Sequence, residues 1–289
     1  ISGNIGTETL TLSKIGGPVG RFYGYKVIGM YKTADDFYQK NAKGEYLLDA
    51  SGNRVMTPRP ADGDGNMYPI APNSIWVGDY IFEDINGDGK IDNNDRTFIG
   101  DPNPDFTFGL NNTISWKNLD FTFFLNGSVG GDIYNYVRQG HTNPEKYGNM
   151  MKEVAGYAKV GLIDPNGSAT DINNVYVINP NDATTQRISN AGQNQNDNNR
   201  VSSRFVEDGS YLRLKSISLT YNFPKKLISP LGISGLSVYG NIQNLFTITG
   251  YNGYDPEIGA SGQSVILQNI DNYRYPSQRI YTFGLKLQF

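Results

Sequence analysis

The sequence predicts an all-β fold, a segment of an antiparallel transmembrane β-barrel with about seven or eight strands and long external loops. Three observations support this prediction. Apolar and polar residues alternate with a period of two along several segments, as expected when a sheet separates two environments. The clearest segments have about ten residues, the length with which a tilted strand crosses a bilayer. Short and long connections alternate, so that every long loop would lie at one end of the sheet.

Seven segments carry the strand pattern, and turn residues or polar connections separate them. In the third and fourth segments, mostly Phe, Leu, Ile and Trp share one face, while small and polar residues occupy the other. A tight turn at Lys117 and Asn118 joins these two segments. The segments are residues 5–14, 21–31, 106–116, 119–126, 209–224, 235–244 and 279–289.

The connections define the expected organisation of the chain. External loops are expected at residues 33–104, 131–207 and 246–277, and a barrel-closing strand at 279–289. Seven or eight strands would enclose too narrow a lumen for such large loops, because barrel diameter grows with strand number. We therefore expect residues 1–289 to form the C-terminal portion of a larger barrel.

An acidic stretch inside the first long loop, residues 84–95, has the spacing of a calcium-binding loop. Gly89 stands at position 6, where the backbone must turn sharply. The sequence therefore predicts a structural Ca²⁺ ion, although position 12 is Asp rather than Glu and a strand, not a helix, precedes the loop. The alternative is an Asp/Asn/Gly-rich turn that binds nothing. The expected ligands are Asp84, Asn86, Asp88, Lys90 through its backbone carbonyl, Asp92 and Asp95.

Composition excludes several functions. The formal net charge of -3 gives no electrostatic basis for nucleic-acid binding. The chain has no Cys, which excludes disulfides, thiol nucleophiles and zinc-thiolate sites. His141 is the only histidine and no G-x-S-x-G motif is present, so we expect no enzyme activity. Paired carboxylates for glycoside hydrolysis stay open at this point, because their separation is a three-dimensional property. No apolar run approaches the roughly 18 residues of a transmembrane helix.

Five runs of the sequence carry a family resemblance. They are GRFYGYKVIGMY, GDYIFEDINGDGKIDNNDRTFIGDPNPDFTFGLNNTISWKNLDFTFFLNGSVGGDIYN, RFVEDGSYLRLKSISLTYNFP, NIQNLFTITGYNGYDPEI and the aromatic final strand. In this order they resemble the C-terminal third of SusC/RagA-type TonB-dependent transporters, almost from end to end. The final strand also resembles the outer-membrane insertion signal, through Tyr281, Phe283, Leu285, Leu287 and Phe289.

The resemblance implies import of nutrients across the bacterial outer membrane by an integral membrane protein. It implies a barrel of about 22 strands closed by an N-terminal plug. It also implies two partners, a SusD-like surface lipoprotein that acts as a lid and the TonB complex, which the N-terminal part would contact. Oligosaccharides or peptides would be the substrates. Because the plug and the earlier strands are absent from this sequence, transport is expected of the whole protein only.

Four tyrosines of the last long loop are weak candidates for contact with a substrate or partner. A Tyr ring offers a flat surface and a hydroxyl, which suits stacking on sugar rings or packing on the lid protein. The alternative is packing within the loop or an interfacial girdle. The four are Tyr251, Tyr254, Tyr273 and Tyr275.

A second interpretation of the whole chain is a secreted, calcium-stabilised β-sandwich that binds glycans or mediates adhesion. It explains the acidic loop, the tyrosines and the alternating strands. It does not explain why the long loops fall at one end of the sheet, or why the chain ends in Phe289.

Overall fold

The fold is built from short and long strands, and a computed structural model describes it for residues 1–144, 148–190, 194–259 and 264–289. The strands are β1 (Ser2–Ile5), β2 (Glu8–Leu12), β3 (Arg21–Gly24), β4 (Val27–Met30), β5 (Tyr80–Phe82), β6 (Thr97–Gly100), β7 (Phe106–Trp116), β8 (Leu119–Val129), β9 (Asp132–Tyr134), β10 (Val160–Leu162), β11 (Val175–Val177), β12 (Val206–Asp208), β13 (Tyr211–Asn222), β14 (Gly235–Thr249) and β15 (Ile280–Gln288).

Helices are short throughout the described residues. Two are α-helical, α1 (Tyr136–His141) and α2 (Lys225–Ile228). The remaining helical turns are 3₁₀ and lie at Ala34–Phe37, Asn93–Asp95, Lys152–Gly156, Ile172–Asn174, Ser203–Phe205 and Ser229–Leu231. None of the described helices has the length and apolar character needed to cross a membrane.

The chain divides into two compact units, which we name by their construction. The sheet unit comprises Gly16–Gly20, Asp101–Tyr134 and Glu207–Phe289. The loop unit comprises Ile1–Ile15, Arg21–Gly100 and Asn135–Val206.

The sheet unit is organised around one antiparallel sheet of five long strands in the order β15-β14-β13-β8-β7. Its register keeps apolar residues together on one face: Phe121 of β8 lies opposite Ile114 of β7 and Leu219 of β13. Neighbouring Thr122 of β8 lies opposite Thr113 and Ser218, on the other face. Because side chains of a strand alternate between faces, this register gives one apolar and one polar surface.

The connections of this sheet follow the predicted alternation. Lys117 and Asn118 join β7 to β8, and Lys117 takes the left-handed conformation (φ 55) that the tight turn requires. A short connection with α2 joins β13 to β14, whereas β8–β13 and β14–β15 have long connections. In an antiparallel sheet, these two kinds of connection fall at opposite ends. The all-β antiparallel fold and all five long strands are therefore as predicted.

The first two predicted strands, residues 5–14 and 21–31, lie elsewhere. They contribute to the separate four-stranded sheet β1-β2-β3-β6 and to the pair β4-β5, all of it in the loop unit. Their strands have only four or five residues each, which is too short to cross a bilayer. Aromatic residues on both faces of the second segment fit burial on both sides rather than a wall between lipid and water. Five strands, not seven, thus form the long sheet among the described residues.

The loop unit has its own hydrophobic core, although most of its sequence is predicted to form connections between strands. Tyr31 stacks on Phe37 with ring centroids 4.1 Å apart and an interplanar angle of 1°. Both long segments of this unit supply core residues. Ile75 and Val77 of the segment Arg21–Gly100 pack with Val175 of the segment Asn135–Val206. The two predicted loops at 33–104 and 131–207 therefore fold largely together as one structure.

A buried ion pair joins the two segments of the loop unit. Arg187 donates from Nε to Asp79 Oδ1 (2.8 Å) and from Nη2 to Oδ2 (3.1 Å), and both side chains are nearly inaccessible to solvent. Asn198 Nδ2 donates to Asp79 Oδ1 (2.9 Å), and the backbone N–H of Trp76 donates to Oδ2 (2.8 Å). A charge buried this deeply is tolerated because it is fully paired.

Candidate functional site

The polar face of the five-stranded sheet is a continuous hydrogen-bonding surface. Ser115 Oγ donates to Asp120 Oδ1 (2.6 Å), and Asn222 Nδ2 donates to Asp120 Oδ2 (2.8 Å). Ser237 Oγ donates to Asn222 Oδ1 (2.7 Å), which extends the network to β14. The side chains of this network are short and neutral apart from Asp120, and the same face also carries Lys286 of β15, which lies opposite Ser237. Such a surface suits a water-filled lumen that a polar solute can pass.

The opposite face is apolar and open. Trp116 of β7 is 65% exposed, Leu219 of β13 is 47% exposed and Phe283 of β15 is 83% exposed. A contiguous apolar surface of this kind marks contact with a membrane or another protein. In a β-sandwich these side chains would be buried against a second sheet, so this surface argues against the sandwich interpretation.

The connection between β14 and β15 is fastened to the sheet unit by charges, and we name this cluster the latch. Arg213 of β13 is almost buried; its Nε donates to Thr247 Oγ1 (2.8 Å) and its Nη1 to Glu257 Oε2 (2.8 Å). Its Nη2 donates to Asp255. Lys215 Nζ contacts Glu257 Oε1 at 2.8 Å. Two cations of one strand thus hold two carboxylates of the connection.

The latch has a local electrostatic signature at Asp255. Burial favours the neutral acid, but hydrogen bonds from Arg213 and from the backbone N–H of Ser277 dominate and lower the pKa of Asp255 to about 2. The carboxylate is therefore charged over the whole physiological range. Lys215 lies where the pairing of β13 with both neighbours shifts, between Leu214 and Ser216. Sequence reasoning missed the latch; the available signal was Arg213 and Lys215 inside a strand together with Asp255 and Glu257 in the loop that follows β14.

The four predicted tyrosines have different surroundings. Tyr251 is 5% exposed, packs with Ile133 and Ile258, and donates its hydroxyl to Asp271 Oδ2 (2.6 Å). It thus has the packing role that was the alternative for these residues. Tyr254 and Tyr275 are 79% and 80% exposed. Tyr273 is also exposed and takes a left-handed conformation (φ 57). Contact with a substrate or partner stays a prediction for these three.

A small polar pocket of about 180 Å³ lies beside the latch. Three carboxylates line it, and the full lining is Asp255, Glu257, Ile258, Asp271, Arg274, Tyr275 and Ser277. Its acidic groups already have donors, because Tyr251 and the latch cations bind them. The pocket therefore belongs to the fastening of the connection.

The predicted calcium loop is closed by its own backbone. Asp84 accepts from the N–H groups of Gly87 (2.7 Å) and Gly89 (2.8 Å), through its two different carboxylate oxygens. Asp95 likewise accepts from Ile85 (2.9 Å) and Asp92 (2.7 Å). An Asx-type turn is formed by the N–H of Asp88, which donates to Asn86 Oδ1 (3.0 Å), whereas the bonds of Asp84 and Asp95 span three residues or more.

The oxygen chemistry of this loop suits calcium, but its carboxylates do not converge. Within the described residues, no three His, Cys, Asp or Glu side chains are grouped as a metal ion would require. Asn86 and Asp88 are bonded to each other (3.1 Å), and Lys90 Nζ lies 3.4 Å from Asp92 Oδ2. A Ca²⁺ ion at these residues stays a prediction, and its binding would require rearrangement of the loop.

The final strand carries the residues of the predicted insertion signal on one face. β15 pairs with β14 through its full length, and Phe283 lies opposite Gly240 while Leu285 lies opposite Val238. Phe289 is 90% exposed. The strand forms an edge of the sheet, with the apolar residues on the apolar face. Its role in membrane insertion stays a prediction. The residues are Tyr281, Phe283, Leu285, Leu287 and Phe289.

Comparison with known proteins identifies the family. The chain is 31% identical over 283 residues to TonB-dependent receptor P3 of Formosa agariphila and 30% identical over 258 residues to TonB-dependent receptor SusC of Bacteroides thetaiotaomicron. These alignments cover 95% and 85% of the chain. The chain is part of a SusC/RagA-type TonB-dependent receptor. It spans only 22% of the length of each of these two relatives. No family model matches the chain.

Solved structures show the same fold. The chain superposes on the structure of the RagAB peptide transporter with a TM-score of 0.55 and 22% identity, over 94% of the chain and 23% of that protein. The 'open-open' state of the RagAB peptide importer gives the same TM-score over 99% of the chain. The relatives are receptors, so the prediction that this chain is not an enzyme is confirmed. The ring Nδ1 of His141 lies 2.9 Å from the backbone oxygen of Asn149.

Proposed function

We propose that this chain forms part of the barrel wall of an outer-membrane nutrient importer, with its polar face toward the lumen and its apolar face toward lipid. The observation that carries the proposal is the register of the five-stranded sheet, which places most apolar side chains on one face and most polar side chains on the other, with Phe124, Tyr239 and Asn112 as exceptions. A membrane barrel needs this segregation because its strands separate water from hydrocarbon. The relatives SusC and RagA support the same assignment.

The complete protein would import oligosaccharides or peptides. A SusD-like surface lipoprotein would cover its external side, and the TonB complex would supply energy through parts that lie outside this chain. The RagAB structure is that of a peptide transporter, whereas the sequence relatives are receptors whose names state no substrate. The polar face accommodates either class, because hydroxyl and amide groups bind sugars and peptide groups alike.

The experiment measures uptake by cells whose chromosomal copy of the gene is deleted and which carry the gene on a plasmid. Fluorescent oligosaccharides and fluorescent peptides are supplied separately, with and without a functional TonB system. We expect TonB-dependent uptake of one class. A variant with Asp120→Lys on the polar face should reduce that uptake, whereas Lys117→Gln in the adjacent turn should not. Equal uptake in cells with and without the gene would refute the proposal.

A further inference from the structure

The strongest unexplained feature of the loop unit is a pocket lined by two arginines, Arg96 and Arg200, which we name the arginine pocket. It encloses about 360 Å³, within the range of small-molecule sites. Arg96 and Arg200 are half-buried in it, while Glu8, Asn93 and Asp197 line it from exposed positions.

The first guanidinium group is held by neutral acceptors. Nη2 of Arg96 donates to the backbone carbonyls of Thr9 (2.6 Å) and Tyr23 (2.8 Å). Its Nε is buried and has no hydrogen-bond partner among the described residues. Carbonyl groups satisfy donors but do not neutralise the positive charge. Arg96 therefore keeps a positive charge that no carboxylate of the described residues neutralises through an ion pair.

The second guanidinium group is held in the same way. Arg200 donates from Nη2 to the carbonyl of Asn196 (2.8 Å) and from Nε to that of Asp197 (3.2 Å). Its Cζ lies 4.7 Å from the ring centre of Tyr25 and 4.8 Å from that of Phe82. These rings fix the plane of the guanidinium group. The bond to Asp197 goes to its backbone, not to its carboxylate.

Neither guanidinium group forms an ion pair among the described residues, although the carboxylates of Glu8 and Asp197 line the same pocket. Burying a cation without an ion pair is costly, and burial accordingly lowers the pKa of Arg200, although the nearby Asp197 carboxylate partly opposes this. An oxyanion would pair with the fork of donors that a guanidinium group presents. Thr7 and Thr9 add hydroxyl groups to the lining. Sugar stacking is disfavoured, because the arginine already covers a face of Tyr25.

We propose that the arginine pocket binds a carboxylate group of a soluble ligand, and that Arg96 and Arg200 are its binding residues. This inference rests on the proposed import function, under which the ligand is an acidic solute that the receptor imports. Two sources carry the same group, a uronic-acid oligosaccharide and the C-terminus of a short peptide.

The test is isothermal titration of the purified full-length receptor in detergent. The probes are trigalacturonate against neutral maltotriose, and a tripeptide with a free C-terminus against the same peptide with a C-terminal amide. We expect one carboxylate probe to bind, and its neutral partner to bind at least about tenfold more weakly. Arg200→Gln should weaken the binding of the carboxylate probe by about tenfold or more, while Arg54→Gln, outside the pocket, leaves it unchanged.

Two further variants keep the test valid if Arg200→Gln lowers the melting temperature. Arg200→Lys keeps the charge but loses the fork of donors, and Thr7→Val removes only a hydroxyl group. Each of these two variants should weaken the binding of the carboxylate probe by a few-fold. Equal affinity for charged and neutral probes, no binding of either carboxylate probe, or wild-type affinity in all three pocket variants would overturn the inference.

Failure of this site is distinguishable from failure of import, because binding is measured without cells. Uptake of a neutral oligosaccharide or amidated peptide is followed separately in the complemented cells. Uptake without any carboxylate binding would overturn the arginine pocket alone. Carboxylate binding without TonB-dependent uptake would overturn import and leave the pocket.

Discussion

The two units of this chain treat their apolar side chains in opposite ways. The sheet unit leaves Trp116, Leu219 and Phe283 largely exposed along one face. The loop unit buries Tyr31 and Phe37 almost completely and pairs the buried Asp79 with Arg187. An exposed apolar sheet face is stable when hydrocarbon surrounds it, whereas a closed core is what water requires. One chain therefore combines a surface suited to hydrocarbon with a core suited to water.

The largest expected effect concerns the closed core of the loop unit. Arg187→Ala leaves the Asp79 carboxylate buried and unpaired, which should destabilise the loop unit by about 3–5 kcal/mol. Hydrogen exchange of amides in residues 21–100 and 135–206 measures this. Lys26→Ala removes an exposed ion pair with Glu83 (2.7 Å) and serves as the control, with an expected effect of about 1 kcal/mol or less. Similar exchange in the two variants would contradict the description of Arg187.

The next effect separates the two faces of the sheet. Leu219→Arg places a charge on the apolar face and should cost about 2–4 kcal/mol in folding into lipid bilayers. Ser218→Arg, one residue away, places the same charge on the polar face and should cost much less. Reversible unfolding of the full-length protein in vesicles compares the two. Equal costs would mean that the apolar face does not contact lipid.

A smaller effect tests the latch. Asp255→Asn removes the charge that Arg213 and Ser277 bind, and should loosen the β14–β15 connection by about 1–3 kcal/mol. Limited proteolysis within residues 250–278 reports this loosening. Asp64→Asn, in an exposed turn of the loop unit, is the matched control. If the connection is cleaved equally fast in Asp255→Asn and in the wild type, the latch does not fasten it.

The pH dependence of the latch follows from the depressed pKa of Asp255. Its ordinary value is 3.8 and its value in the folded chain is about 2, so the contribution is complete above roughly pH 4 and is lost between pH 4 and 2. Cleavage of the connection by a neutral protease should therefore show no loosening from pH 8 to pH 5. Cleavage by an acid protease should show loosening only below about pH 4. Loosening near pH 6 would contradict the role of this carboxylate.

The smallest expected effect concerns the acidic loop. If Ca²⁺ binds, a concentration several times its Kd stabilises the loop unit by about 1 kcal/mol. Melting curves with calcium and with a chelator measure this for the wild type and for Asp84→Ala/Asp88→Ala. Calcium should stabilise the wild type only. Identical melting curves for the wild type in calcium and in chelator would refute calcium binding. The backbone hydrogen bonds of Asp84 would then be the sole reason for the position of its side chain.

The sequence predicted the sheet unit better than the loop unit, for a physical reason. In β8 and β13 each side chain meets either an apolar or a polar surface, so the period of two appears directly in the residues. The structure accordingly reproduces the predicted strands at 106–116 and 279–289 within one or two residues. Tertiary contacts changed the bounds of these two strands very little.

The loop unit could not be predicted in this way. Its strands have three to five residues, and its core is assembled from segments about a hundred residues apart, such as Val77 and Val175. Neither a period nor a local motif records such contacts. The Asp79–Arg187 pair and the latch were missed for the same reason, since sequence does not show which charges will meet.

The central claim, that the sheet separates lipid from water, is tested most directly by single-cysteine labelling along β8. The chain contains no Cys, so each introduced thiol in it reports without background from its own sequence. Phe121→Cys, Thr122→Cys and Phe123→Cys are each made in the full-length protein in vesicles. The account predicts reaction with a water-soluble maleimide at position 122, and reaction with a lipid-soluble one at positions 121 and 123. Equal reaction of all three thiols with the water-soluble reagent would contradict it.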